Sequence, residues 1–93
     1  MRYSSQHGGL IFSGPGWYLP RAQWNLRLDG NLCGAVRLVI VEDDATILAE
    51  VTLSESRLGG AFAVDHDITH FEVQAYADAG TVVDLVRLQF EQM

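Results

Sequence analysis

The sequence predicts an all-β fold, an antiparallel two-sheet β-sandwich of jelly-roll type with seven to eight strands. Three observations favour it: apolar and polar residues alternate with period two, glycine-rich or acidic turns recur roughly every eight to twelve residues, and no segment has a convincing amphipathic helical period. With 93 residues, 48% of them hydrophobic, the chain has the size of one small domain. We therefore expect a single sandwich over residues 1–93, with residues 1–8 frayed.

The first half of the chain predicts three strands. Residues 10–12 are apolar, residues 23–28 alternate strictly, and residues 36–41 are β-branched and leucine-rich. Glycine, proline, aspartate and asparagine favour turns, so we expect turns at residues 14–16 and 29–31.

The second half predicts four more strands. Residues 46–53 alternate and could instead form a two-turn helix, but β-branched Ile47 and Val51 favour a strand. Further strands are expected at residues 62–64, 69–76 and 81–90, the last with a bulge near Leu85 and Val86, where the alternation changes phase. Turns are expected at residues 42–44, 54–60, 65–67 and 78–80. The same alternation places four side chains between the two sheets: Trp24, Val39, Val51 and Phe71.

Charge and composition exclude several classes of function. Twelve acidic against six basic residues give a net charge of −6, which disfavours nucleic acid as a partner. The longest apolar run, residues 38–41, is far shorter than the ~20 residues of a membrane span. The single cysteine, Cys33, excludes an internal disulfide or a thiolate cluster, and a cytoplasmic location is expected.

Three aromatic residues are candidates for binding carbohydrate. A flat apolar ring with a polar edge complements the face of a sugar ring. Trp17 and Tyr18 follow the predicted glycine-proline turn, and Tyr76 lies on the wet face of a predicted strand. Packing at the core or at a sheet edge is the alternative role for Trp17.

Two acidic turns are candidates for a structural calcium site. Asp43 and Asp44 lie in one turn, and Asp65 and Asp67 lie in another. Calcium needs six to eight oxygen ligands, usually from several loops, so these turns would have to converge. Solvated turns are the alternative, and no other cofactor is expected.

Hydrolase chemistry is a minor alternative. His66 and His70 are spaced as in zinc proteases, but on a strand they lie ~13 Å apart and lack the following glutamate. The acidic turns could supply a glycosidase pair only if they converged in a cleft. Neither Ser54 nor Ser56 lies in a nucleophile elbow, and Cys33 is expected to pack rather than react.

Three segments of the sequence resemble a known module. They are "GLIFSGPGWYLPRAQWNLRL", in which Tyr18, Leu19, Pro20 and Trp24 occupy the positions that carry the likeness, "VEDDATILAEVTL" and "ITHFEVQAYADAGTVVDLVRLQF". They are similar to a carbohydrate-binding-module-like β-sandwich domain attached to bacterial surface-polysaccharide glycosyltransferases and methyltransferases. Residues 21–23 lack the glycine that this family places before the aromatic residue. The resemblance implies a noncatalytic accessory domain.

Two functional hypotheses follow. The first is a noncatalytic accessory module that binds a glycan weakly in a bacterial surface-polysaccharide context. The second is a structural module that associates with a partner protein, with other domains of a parent protein or with itself as a homodimer, through its sheet edges. A solvent-facing groove lined by Trp17, Tyr18 or Tyr76 would favour the first, and a flat apolar patch would favour the second.

Overall fold

The computed structural model describes residues 2–43 and 46–93, and these residues form eight strands and no helix. The strands are β1 (Arg2–Ser4), β2 (Gly9–Leu19), β3 (Ala22–Cys33), β4 (Ala35–Glu42), β5 (Ile47–Ser54), β6 (Gly59–Val64), β7 (Ile68–Ala77) and β8 (Val82–Gln92).

The strands form two four-stranded antiparallel sheets, in the orders β1-β8-β3-β6 and β2-β7-β4-β5. Apart from the β4–β5 hairpin, each strand is followed by one in the opposite sheet. This order is that of an eight-stranded jelly roll. The predicted fold class is therefore confirmed.

The core lies between the two sheets and consists of aliphatic side chains on alternate strand positions. Leu26 from one sheet and Leu38 and Leu53 from the other are fully buried. Val51 and Phe71 are buried in this core as predicted, and Trp24 packs against it at the margin. The Trp24 indole N–H donates to the carbonyl oxygen of Pro20 at 3.1 Å, which satisfies the one polar atom of the ring.

The prediction for Val39 is wrong. Its neighbours Leu38 and Ile40 belong to the core cluster, so the alternation of β4 places Val39 on the outer surface of its sheet. It is nevertheless only 4% exposed, because it lies between Glu50 of β5 and Gln74 of β7. Arg37 shares the phase of Val39 and is the one sign in the sequence that this phase faces outward, because residues 38–41 are all apolar.

The turn predicted at residues 14–16 is also wrong, because β2 pairs with β7 continuously from Gly14 to Trp17. Pro15 is tolerated because β2 is an edge strand, where a missing N–H need not break a ladder. Gly16 is required by close packing, since a Cβ there would collide with the ring of Phe71.

The turn predicted at residues 29–31 is replaced by a bulge. Asp29 pairs with Arg87 and Gly30 with Leu85, so Val86 is the extra residue in β8. The bulge predicted there is confirmed. Gly30 has a φ of 142°, and a Cβ at this position would collide with the carbonyl oxygen of Asp84. The chain instead reverses at Gly34, whose φ is 105°.

The start of the chain is more ordered than the expected fraying through residue 8. β1 pairs with β8 from Arg2 to Ser4. Ser5 is buried, and its N–H donates to the carbonyl oxygen of Thr81 at 2.9 Å. Alternation could not reveal so short a strand.

Candidate functional site

The candidate site is the outward surface of the β2-β7-β4-β5 sheet, called here the outer face. Residues paired directly across antiparallel strands share a face of the sheet. The register therefore groups on this face the following side chains: Leu10, Ser13, Pro15 and Trp17 of β2; His70, Glu72, Gln74 and Tyr76 of β7; Arg37, Val39 and Val41 of β4; and Ile47, Glu50 and Thr52 of β5.

A chain of polar contacts crosses the outer face. The Tyr76 hydroxyl donates to Gln74 Oε1 at 2.7 Å, and Gln74 Nε2 donates to Glu72 Oε1 at 3.3 Å. The Arg37 guanidinium lies 5.3 Å from the centroid of the Tyr76 ring and 3.5 Å from Glu50 Oε1. These contacts link the polar side chains into one row, in which Arg37, Glu50 and Glu72 are exposed and Gln74 and Tyr76 are partly exposed.

The two neighbouring aromatic residues Trp17 and Tyr18 are both exposed, at 68% and 59%. Trp17 pairs with His70, which places it on the outer face with Tyr76. Tyr18 has a φ of 71° and switches the alternation, so that Leu19 is buried instead of facing outward. A non-glycine residue in this region typically costs about 1–3 kcal/mol.

Shallow hollows lie along the outer face. Three adjoining hollows of about 500, 250 and 410 Å³ follow it from the Asp43 end to the Asp78 end. Val41 and Gln74 are shared by the first two hollows, and Arg37 and Tyr76 by the last two. His70 and Tyr76 are six residues apart on β7, or roughly 20 Å. A ligand that touched both Trp17 and Tyr76 would therefore be an extended chain.

The residues predicted to bind calcium have different partners. Asp65 contacts His66, Asp67 accepts a hydrogen bond from the Arg21 backbone N–H at 2.8 Å, and Asp43 lies 3.6 Å from His70 Nδ1. Asp44 lies outside the described residues. Over residues 2–43 and 46–93, no three His, Cys, Asp or Glu side chains are placed to hold a metal ion. The calcium site stays a prediction.

His66 connects the β6–β7 turn to the end of β4. Its Nδ1 lies 2.6 Å from Asp65 Oδ1, and its Nε2 lies 3.0 Å from Glu42 Oε1. The hydrogen bond to Asp65, supported by Glu42, raises the pKa of His66, and the hydrogen bond from His66 lowers the pKa of Asp65. All three side chains reach solvent, so the cluster ties β4 to the β6–β7 turn as a surface ion pair.

Ser54, Ser56 and Cys33, which were also considered for hydrolysis, have contacts outside this cluster. Ser54 Oγ lies 3.3 Å from Ser56 Oγ in the β5–β6 turn. Cys33 is exposed, and a hydrogen bond with Glu55 raises the pKa of its thiol. A raised thiol pKa reduces the thiolate fraction and thus the nucleophilicity at neutral pH.

Sequence reasoning missed several residues of the outer face. Glu72 and Gln74 could have been found, because they share the outward phase of Tyr76 on β7. Arg37 and Glu50 could not, because only the pairing of β4 with β7 and β5 places them beside Tyr76.

Comparison with known proteins finds a solved structure with a similar fold. No family model and no curated protein match the sequence. A chain in a crystal structure of accessory secretory protein 1,2 and 3 in Streptococcus pneumoniae is similar, with a TM-score of 0.60 and 10% sequence identity. The match covers 94% of this chain and 73% of that one. At this identity the likeness shows a shared fold.

The described part of the chain has no helix that is long and apolar enough to cross a membrane.

Proposed function

We propose that this protein is a noncatalytic accessory module that binds a glycan chain on its outer face, in a bacterial surface-polysaccharide context. The observation that carries the proposal is the placement of Trp17 and Tyr76 on one face of the sheet, with Arg37 and Gln74 among the polar groups near Tyr76. Aromatic surface beside convergent hydrogen-bonding groups is the usual chemistry of sugar recognition.

The two aromatic residues have different roles in this proposal. Trp17 exposes most of its ring and offers a stacking surface. Tyr76 is partly covered by the Arg37 guanidinium, so it contributes its hydroxyl and one edge. Tyr18 follows Trp17 at the end of β2 and forms the margin of the site.

The charge of the outer face selects among glycans. Arg37 is paired with Glu50, whereas Asp43 and Glu72 line the first hollow and give that end a negative potential. A polyanionic glycan would be repelled there. The ligand we propose is a neutral glycan chain.

The accessory role is supported by the similar chain from Streptococcus pneumoniae, whose structure contains several accessory secretory proteins. That structure also supports the second hypothesis, contact with a partner protein. The small hydrolase is supported by no contact described above.

A glycan array followed by calorimetry tests the proposal with two matched arginine variants. Arg37→Ala removes a cation from the outer face, and Arg87→Ala removes the same charge from the other sheet, where it pairs with Asp29 at 3.0 Å. We expect a neutral glycan to bind the wild type and Arg87→Ala equally, and to bind Arg37→Ala about tenfold more weakly, since charge-assisted hydrogen bonds are worth about 1.5–3 kcal/mol. Trp17→Ala should weaken binding similarly. Equal loss in both arginine variants, or no neutral ligand, would contradict the proposal.

A further inference from the structure

The two sheets meet differently at their two sides. β5 and β6 are linked by a short turn, which the bridge between Ser54 and Arg57 closes, and Val51 of β5 lies so near Gly60 of β6 that a Cβ there would be 2.6 Å from Val51 Cγ1. We call this side the closed seam. On the other side β2 and β8 face each other across a groove, which we call the open seam. There β1 covers β8 only as far as Asp84.

Two strand edges border the open seam. β2 lies at the end of its sheet, so its outer edge has no strand neighbour among the described residues. No described strand pairs with the outer edge of β8 over residues 86–92, a length of roughly 23 Å. Unpaired strand edges are templates for an added strand.

The floor of the open seam is apolar. A groove of about 360 Å³ lies between the edges, more than twice the volume of a ~150 Å³ cavity that holds benzene. Its apolar lining side chains belong to the core or pack against it: Tyr3, Phe12, Phe71, Val73, Leu85, Leu88 and Phe90.

Glycines in β2 leave the groove unfilled. Gly14 and Gly16 pair with Val73 and Phe71, so they occupy the inward phase of β2. The ring of Phe71 fills the space at Gly16, whereas a Cβ at Gly14 would meet nothing within 4 Å. The groove therefore has room for apolar side chains that β2 does not supply.

β1 shows how an extended segment fits this seam. It pairs with β8 in antiparallel register, and its central residue, Tyr3, turns inward against Phe12 with ring centroids 4.7 Å apart. A segment continuing along β8 in the same register would place every second side chain in the groove.

We propose that the open seam binds an extended segment of a partner protein, with apolar residues at alternate positions and basic residues between them. We infer the basic residues from charge complementarity, because the chain has a net charge of −6. In addition, the acidic hollow that Asp43 and Glu72 line is next to the groove, since Gly14 and Pro15 line both. A second copy would suit the groove poorly, because its β2 edge offers glycine at the inward positions and Pro15 cannot donate a ladder bond.

Fluorescence anisotropy with a defined probe tests this proposal. The probe is the capped peptide Lys-Val-Lys-Val-Lys-Val-Lys, and its control has proline at the central valine, with the same charge. We expect the probe to bind at least about tenfold more tightly than the proline peptide, which loses one apolar anchor and one donor. Equal binding of the two peptides would show charge attraction alone and would overturn the proposal.

Protein variants locate the site. Gly14→Leu fills the groove and should weaken probe binding about tenfold or more, whereas Thr52→Leu adds the same side chain on the other edge strand and should change nothing. Should Gly14→Leu fail to fold, Leu88→Gln removes an apolar wall and should have the same effect.

In NMR spectra of the wild type, probe binding should shift amides of residues 86–92. Unchanged affinity in both groove variants, or a self-dimer that Gly14→Leu dissociates, would overturn the proposal. Arg37→Ala should leave probe binding intact, which separates this test from that of the glycan site.

Discussion

The closed and open seams differ in how closely the edge strands of the two sheets approach each other. Each joins two edge regions of opposite sheets over one continuous core. At the closed seam, β5 and β6 are linked by a short turn in which Ser54 and Arg57 exchange two backbone hydrogen bonds of 2.9 and 3.0 Å, and the buried Val51 of β5 packs against Gly60 of β6. At the open seam, the three-residue strand β1 pairs with β8 and contacts β2 through the rings of Tyr3 and Phe12. A jelly roll of this size can therefore seal its core on one side and leave the other side available for a ligand.

Glycines in the two seams give the largest expected contrast in stability. A Cβ at Gly60 of β6 would lie 2.6 Å from Val51 Cγ1, which is held in the core. Overpacking of this kind costs about 1–3 kcal/mol, offset in part by the better strand propensity of alanine. We expect Gly60→Ala to lower the free energy of unfolding by about 1–2 kcal/mol in a urea titration.

The matched substitution at the open seam should act in the opposite direction. Gly14→Ala adds the same methyl group to an inward strand position where no atom lies within 4 Å. Replacing a strand glycine by alanine stabilises by about 0.5–1 kcal/mol. The proposed contrast between the seams would be wrong if urea titrations showed Gly60→Ala to be as stable as the wild type, or Gly14→Ala to be the less stable of the two variants.

The smallest effect on stability is expected from a change at His66. This residue lies at the far end of the closed seam, where β5 and β6 diverge around a hollow of about 370 Å³. The pKa of His66 is raised by Asp65 and Glu42, so its stabilising contribution is present below about pH 6.5 and is lost as the pH rises through the folded-state pKa. The pKa of Asp65 is lowered, so its contribution is present above about pH 3.9 and is lost as the pH falls through its folded-state value.

The prediction is a pH-dependent difference between the wild type and His66→Gln. The wild type should be more stable between about pH 4 and 6.5, and the difference should shrink at higher pH. Thermal unfolding across this range measures it, with His7→Gln as the control, since His7 is exposed and outside the cluster. A difference that grew with pH would show that the cluster does not act as an ion pair.

Much of the fold could be predicted because period-two burial is a local property. β5 and β7 alternate in the sequence, and their inward residues Val51 and Phe71 are buried. The bulge at Val86 was visible as a change of phase. The errors came from residues whose role depends on a neighbour. Pro15 is compatible with a strand only at an edge, and Gly30 is required because the carbonyl of Asp84 approaches it.

The candidate site was less predictable than the fold. Exposure of Trp17 and Tyr76 could be argued from turn positions and strand phase. The grouping of Arg37 with Tyr76 depends on which strands pair, and no local pattern encodes that. The open seam could not be predicted at all, because Gly14, Pro15 and Gly16, which border it, have the sequence pattern of a turn.

Thiol labelling tests most directly the claim that one seam is closed and the other open. In a Cys33→Ser background, Leu53→Cys places a thiol in the core beside the closed seam, and Leu88→Cys places one on the wall of the open groove. Under native conditions we expect a maleimide to modify the Leu88→Cys protein rapidly and the Leu53→Cys protein only as fast as it unfolds. Equal protection of the two thiols would contradict the account, because the groove would then be closed to any ligand.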